Sequence, residues 1–338
     1  MESESRRVGV LGGGSWGTAL AQLAAGRHQV TLWALEPEVV HGINHDHKNP
    51  LYLSDIELSP ALRATSDPAE AVGDADLVLV VIPSQHVRAS MRRLRPAIRP
   101  GVPLVVCSKG IERESLATMD RVLTEELAPA CHPFVSVLSG PSFALEAARG
   151  MPTNVTVAAH DLEVAARVQA LLATRAFRIY ITDDVIGVEV GGALKNVIAI
   201  AVGVSDGLGF GDNTRAALMT RGMAELTRLA VSLGGRPETL LGLAGVGDLV
   251  LTCTGEQSRN RQVGKLLAQG KTRTHIEGEM RMVAEGIPSA ASGHALARAR
   301  GVDCPIIAQV YRVLYEGTPV LEAMAALQDR SLKEEWRP

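Results

Sequence analysis

The chain has 338 residues, enough for two hydrophobic cores, and its 46% hydrophobic and 21% charged residues are those of an ordinary globular protein. A net charge of −3 gives no electrostatic case for nucleic acid or an anionic membrane as partner. The first seven residues, Met-Glu-Ser-Glu-Ser-Arg-Arg, lack the apolar stretch of a signal peptide, and the longest apolar runs, Leu77 to Ile82 and Val197 to Ala201, are too short to span a membrane, so the cytoplasm is the expected compartment.

In chain order, the apolar run Val8 to Leu11 flows into a G-x-G-x-x-G turn at Gly12, Gly14 and Gly17. Gly12 permits a tight turn, Gly14 lets backbone approach a pyrophosphate, and Gly17 lets the next helix pack close to the strand. That helix starts at about Ser15 and aims its free N–H groups at the phosphates. A second strand, Gln29 to Ala34, is followed by a polar, Pro-bearing stretch from Glu36 to Pro68. Ala75 to Ile82 reads as a strand buried on both faces, and Val102 to Ser108 repeats the pattern after a helix in the Arg-rich segment 88–99. Phe134 to Leu138, Asn154 to Ala159 and Phe177 to Ile181 are three further strands, with Leu162 to Leu172 helical between the last two.

Alternating elements predict an α/β N-terminal domain, a Rossmann-like doubly wound parallel sheet over residues 1–184. Its rim would carry Gly12 to Gly17, Pro83, Ser84, Lys109 and Gly140 to Ser142. Beyond it, Val185 to Val204, Asn213 to Leu233, Asn260 to Gln269, Gly286 to Arg300 and Ile306 to Glu316 have helical composition, which predicts an all-α C-terminal domain over 185–338 with a frayed tail from Asp329. Four scattered cysteines, Cys107, Cys131, Cys253 and Cys304, lack C-x-x-C spacing and read as inert buried thiols. The histidines show no ligand spacing, so no metal is expected, and His41, His45 and His47 read as a solvated loop.

Chemistry concentrates in a few segments. Gly187 to Ala201 is apolar nearly all round, the mark of a buried helix, yet it carries Lys195 and Asn196 at its middle. Burial lowers a lysine toward the range of a general base. Gly191 and Gly192, one turn earlier, would leave room for a small molecule. The alternative is a lysine that snorkels to the surface or pairs with Glu189. Asp248 either holds a lysine in position or accepts from a substrate hydroxyl, or simply caps the helix before Leu249. Ser258, Arg259 and Asn260 open a helix and together suit an anion, although an Arg-Asn-Arg string also fits a solvated surface.

These segments together resemble the NAD(P)-dependent glycerol-3-phosphate dehydrogenases of the bacterial soluble type. The matching stretches are Gly12 to Leu20, Lys109-Gly110, Ser139 to Ala144, Gly191 to Val197, Ser205 to Gly211, Gly247 to Cys253, Gln257 to Arg261, Ala284 to Gly286 and Ile306 to Tyr315, in order over nearly the whole chain. The resemblance implies reversible reduction of dihydroxyacetone phosphate to sn-glycerol 3-phosphate, supplying glycerophospholipid synthesis, with Lys195 as general acid/base. It implies that Lys109, Gly140, Ser142, Lys195, Asp248, Ser258, Arg259 and Asn260 hold the triose phosphate. Ser15, Trp16, Lys109, Ala144, Arg259, Val283 and Glu285 would contact the dinucleotide beside Gly12, Gly14 and Gly17.

Many relatives resemble Trp-x-Arg or Trp-x-His after the second strand, where a cation neutralises the 2′-phosphate of NADP. Here the stretch is Trp33-Ala34-Leu35-Glu36. An acid 19 residues after Gly17 suits the ribose 2′-hydroxyl of NAD, so Leu35 and Glu36 join the cofactor set and NAD should be used at least as well as NADP. The bland alternative is that Glu36 only begins a helix over Pro37 to Ile43. Two rival functions stay open: a β-hydroxyacid or ketopantoate-type dehydrogenase, and a catalytically silent dinucleotide sensor. Helical second domains in such enzymes often pair, but no self-complementary patch is visible, so the sequence leaves the oligomeric state, a homodimer included, open.

Overall fold

The structure is a computed structural model and describes residues 5–280, 282–331 and 334–335. Much of the charged tail from Asp329, namely residues 332, 333 and 336–338, lies outside the described residues. The chain divides into two compact units, residues 1–108 with 119–185, and residues 109–118 with 186–338. The segment Lys109 to Thr118 therefore packs with the helical unit, where the sequence boundary after residue 184 had left it with the sheet.

The first unit is built on one eight-stranded sheet: β1 (Arg7–Leu11), β2 (Gln29–Trp33), β3 (Leu62–Thr65), β4 (Leu77–Val80), β5 (Leu104–Val106), β6 (Val135–Ser139), β7 (Thr153–Ala159) and β8 (Phe177–Thr182), in the order β3-β2-β1-β4-β5-β6-β7-β8. The order reverses between β1 and β4, the switch point where such sheets bind ligands. Gly12 leaves β1 there, its N–H donating to Trp33 O at 3.0 Å. β4 is buried at all four residues, as expected of a parallel strand covered on both faces.

One expectation needs correction: the sheet is not wholly parallel, because β6 and β7 run antiparallel while β7 and β8 are again parallel. Apolar strands read alike in either direction, so patterning carries no sign of this reversal. The edge strand β3 also went unread. Its four residues, Leu-Arg-Ala-Thr, are too short to show a period inside the polar stretch 36–68.

The second unit is helical among the described residues. Its core is the helix Val185–Gly207, long and apolar enough by composition to cross a membrane, yet 94% buried within its most apolar window. Around it lie Asp212–Ser232, Asp248–Thr254, Arg259–Ala268 and Gly286–Arg300. A Cβ on Gly203 would sit 2.0 Å from Arg261 O, and one on Gly264 would sit 2.1 Å from Ile200 O. The helices bearing Lys195 and Arg259 therefore touch backbone to backbone, which fixes their start points relative to each other. Each of the four cysteines is a buried thiol outside any disulfide.

Candidate active site

In the first unit, the glycines of the opening turn serve three different needs. Gly12 has φ of +126°, and a Cβ on it would meet Val81 O at 2.6 Å. A Cβ on Gly17 would lie 1.9 Å from Gly12 O, so only glycine lets the helix Ser15–Ala25 start this close to β1. Gly14, by contrast, faces open space, with nothing within 4 Å of where a Cβ would stand. It is also the helix N-cap and offers no side-chain cap, so the first N–H groups are left for a ligand. Trp16 Nε1 is buried without a hydrogen-bond partner among the described residues. An open cradle, a bare helix N-terminus and an orphaned donor fit a dinucleotide pyrophosphate.

Leu35 follows β2 and is 76% exposed. Glu36 is the N-cap of the short helix Pro37–His41 in backbone terms, but its carboxylate makes no cap bond. It accepts instead from Tyr52 Oη at 2.6 Å. Gly140 and Ser142 follow β6, with Ser142 Oγ donating to Gly140 O at 2.9 Å, and Ala144 starts the next short helix, Ala144–Ala148.

The second unit holds a compact charged centre. Asp248 is only 1% exposed and opens the helix Asp248–Thr254. Its Oδ1 accepts from Lys195 Nζ at 2.6 Å and its Oδ2 from Lys109 Nζ at 2.8 Å. Helix capping is thus not its role: the backbone cap is Gly247, and the carboxylate faces two amines. Thr252, one turn on, accepts from Lys195 Nζ at 2.6 Å and donates to Asp248 O at 2.6 Å. Two ammonium groups share one carboxylate, a local surplus of positive charge suited to an anion.

Lys195 is 5% exposed, and it neither snorkels nor pairs with Glu189. Burial brings its amine down to about 8; Asp248 opposes that shift, and Lys109 adds to it. Of its three N–H donors two are taken, so one is uncommitted among the described residues. The expectation that glycines open space beside it fails at Gly191. A Cβ there would meet Ala244 O at 2.8 Å, so the position serves close helix packing.

Ser258 caps the helix Arg259–Ala268, its side chain accepting from Arg261 N at 3.2 Å. Arg259 stands exposed at the first helical position and donates from Nη1 to Val283 O at 2.8 Å. Glu285, beside it, adds an opposing charge. Asn260 is buried and bonded on both sides, donating to Asn196 Oδ1 at 2.8 Å and accepting from Gly286 N at 2.9 Å. In the second unit, then, Lys109, Lys195 and Asp248 come together, Asn260 joins Asn196, the neighbour of Lys195, and Arg259 reaches Val283. Among the described residues no group of three or more His, Cys, Asp or Glu is placed to hold a metal ion.

Comparison with known proteins gives the family. The family model for the N-terminus of NAD-dependent glycerol-3-phosphate dehydrogenase matches residues 7–165, and that for its C-terminus matches residues 184–325. The chain belongs to this family. A relative from Geobacter sulfurreducens, named glycerol-3-phosphate dehydrogenase [NAD(P)+], is 54% identical over 98% of this chain and 100% of its own length. The crystal structure of glycerol-3-phosphate dehydrogenase from Coxiella burnetii is 36% identical, covers 96% of this chain and 99% of that one, and superposes with a TM-score of 0.91. The Saccharomyces cerevisiae enzyme is 29% identical, covers 96% of this chain and 100% of that one, and gives a TM-score of 0.80.

Three residues escaped the candidate set drawn from sequence. Thr252 was signalled only by its spacing of four from Asp248, one helical turn. Asn49 and Tyr52 lie in the stretch 36–68, which the sequence shows only as polar and Pro-bearing. Asn49 accepts from Leu51 N and Tyr52 N and is wholly buried under the glycine turn.

Proposed function

We propose that the chain interconverts dihydroxyacetone phosphate and sn-glycerol 3-phosphate with NAD(P)H, supplying glycerophospholipid synthesis. One observation carries the reading: a buried lysine amine, near 8 and holding an uncommitted N–H, beside a second ammonium. Family membership and the names of the relatives support it. A bound nicotinamide would exchange the hydride with C2 of the substrate. Lys195 Nζ would donate its free proton to the oxygen that gains charge during reduction, and would take the hydroxyl proton in the reverse direction. Asp248 and Thr252 hold that amine in position. Lys109 adds positive charge near the developing oxyanion, and Arg259, with the helix start behind Ser258 and Asn260, would take the phosphate. Gly140 and Ser142 would complete the substrate set.

The dinucleotide would be held by Gly12, Gly14, Ser15, Trp16, Gly17, Leu35, Glu36 and Ala144, with Lys109, Arg259, Val283 and Glu285. An acid, not a cation, follows β2 here, which favours NAD. The same reading makes the cell interior the working compartment and a homodimer the assembly to test.

The decisive experiment is Lys195→Ala in the purified full chain, with dihydroxyacetone phosphate and NADH. The expected result is a kcat lower by about a hundredfold to ten-thousandfold with NADH affinity nearly unchanged. An unaffected kcat would remove Lys195 from the chemistry. Turnover of ketopantoate but not of the triose phosphate, by the wild-type chain, would overturn the substrate.

A further inference from the structure

The acid that follows β2 is held by a loop from the same unit. Tyr52 Oη donates to Glu36 Oε1 at 2.6 Å, and the Tyr52 carbonyl accepts from Ser15 Oγ at 2.9 Å, in the first turn of the helix after the glycine turn. The Tyr52 N–H is fixed on Asn49 Oδ1 at 3.1 Å. Asn49 Nδ2 in turn donates to Gly13 O and to Thr18 Oγ1, both at 2.8 Å. A single loop therefore ties the pyrophosphate turn to the Glu36 carboxylate.

A half-exposed glutamate has three side-chain torsions, and holding it in one pose costs conformational entropy. A short bond from a neutral hydroxyl to a carboxylate supplies that order before any ligand arrives. It occupies one carboxylate oxygen and leaves the other to accept from a ribose 2′-hydroxyl. A 2′-phosphate has only acceptors and carries negative charge. Against a carboxylate that is free to swing away it loses little; against one held in place it is repelled.

We propose that Tyr52 is a specificity-determining positioning residue: by holding Glu36 it makes the site select an adenosine ribose without a 2′-phosphate. Preference between NAD and NADP is then a property of the Glu36–Tyr52 pair. This rests on the assignment of Glu36 to the ribose. The Tyr52 hydroxyl is pushed up to about 12, chiefly by its bond to Glu36 and further by burial, so it remains a donor throughout the neutral range.

The test is equilibrium binding of NADH and of NADPH, without substrate, to the full chain as wild type, Tyr52→Phe, Glu36→Gln and the double variant. Tyr52→Phe keeps the ring and the carbonyl bonded to Ser15, and a thermal melt checks that it folds. The expected result is that Tyr52→Phe narrows the ratio of the two Kd values by about threefold to tenfold, the size of one hydrogen bond. Glu36→Gln should narrow it at least as much, and the double variant should match Glu36→Gln alone. If Tyr52→Phe weakens both cofactors equally, or if the two substitutions add, Tyr52 merely supports the loop and the proposal falls while Glu36 keeps its role. If Glu36→Gln also leaves the ratio unmoved, the ribose assignment itself falls.

Discussion

Replacing Asp248 by asparagine removes one charge and almost no volume, and it tests the proposed proton-transfer centre directly. The wild-type carboxylate lies 2.6 Å from Lys195 Nζ and 2.8 Å from Lys109 Nζ, so the variant leaves two amines facing a neutral amide. An opposite charge at such range sustains about one to three pKa units, or about 1.4 to 4 kcal/mol. The Lys195 amine, already near 8 because burial outweighs the attraction of Asp248, should fall by that amount. Reduction of dihydroxyacetone phosphate needs the protonated amine, so its kcat/KM should decline as pH rises through about 8 in the wild type. Oxidation of glycerol 3-phosphate needs the neutral amine and should rise through the same point. In Asp248→Asn both breaks should move about one to three units toward acid. The assay is initial rate by nicotinamide absorbance in each direction over a pH series. Breaking a buried pair also costs about 3 to 5 kcal/mol of stability, so the series belongs well below the melting point of the variant. A folded variant whose rate still breaks at the wild-type pH would refute the assignment of Lys195 as the titrating group.

Arg259→Ala should raise KM for dihydroxyacetone phosphate by about tenfold to a hundredfold, the value of a charged hydrogen bond, with a smaller effect on NADH binding. An unchanged KM would place the phosphate elsewhere. A separate prediction concerns Glu225, buried behind the helix Pro305–Tyr311, whose carboxylate accepts from Ile306 N at 2.7 Å and Ile307 N at 3.1 Å. Burial raises it from 4.5 to about 7, against the pull of those two amides. An acid raised on folding stabilises fully below its unfolded value and loses that contribution as pH rises through its folded one. The wild type should thus lose on the order of 3 kcal/mol between about pH 4.5 and pH 7 that Glu225→Gln does not lose, read as urea midpoints across that range. Parallel pH dependences in the two proteins would contradict this.

Much of this was legible because several segments combined polar residues with a helical or strand context that demanded explanation. Lys195 stood out in an apolar helix where an ammonium is costly, and the structure buries it. The glycine turn announced its strand and helix, and the helix does start at Ser15. What stayed hidden depends on contacts distant in sequence. That Asp248 could hold a lysine was legible; that it holds two was not, because the Lys195–Asp248 bond joins residues 53 apart and the Lys109–Asp248 bond joins residues 139 apart. The packing of segment 109–118 with the helices, and the reversal between β6 and β7, are likewise decided by tertiary neighbours. Gly191 was misread for a related reason: a missing side chain looks the same in a sequence whether it makes room for a ligand or for backbone.

The contact at Gly191 has a consequence for how this enzyme can vary. Ala244 stands four residues before Asp248, and Gly191 one turn before Lys195. A methyl group at position 191 would wedge the two segments apart, and an ion pair only 2.6 Å long has no slack to absorb the displacement. The reach from acid to amine is gauged by an atom the chain omits, so drift at this position would shift the proposed proton donor although neither Lys195 nor Asp248 had been replaced.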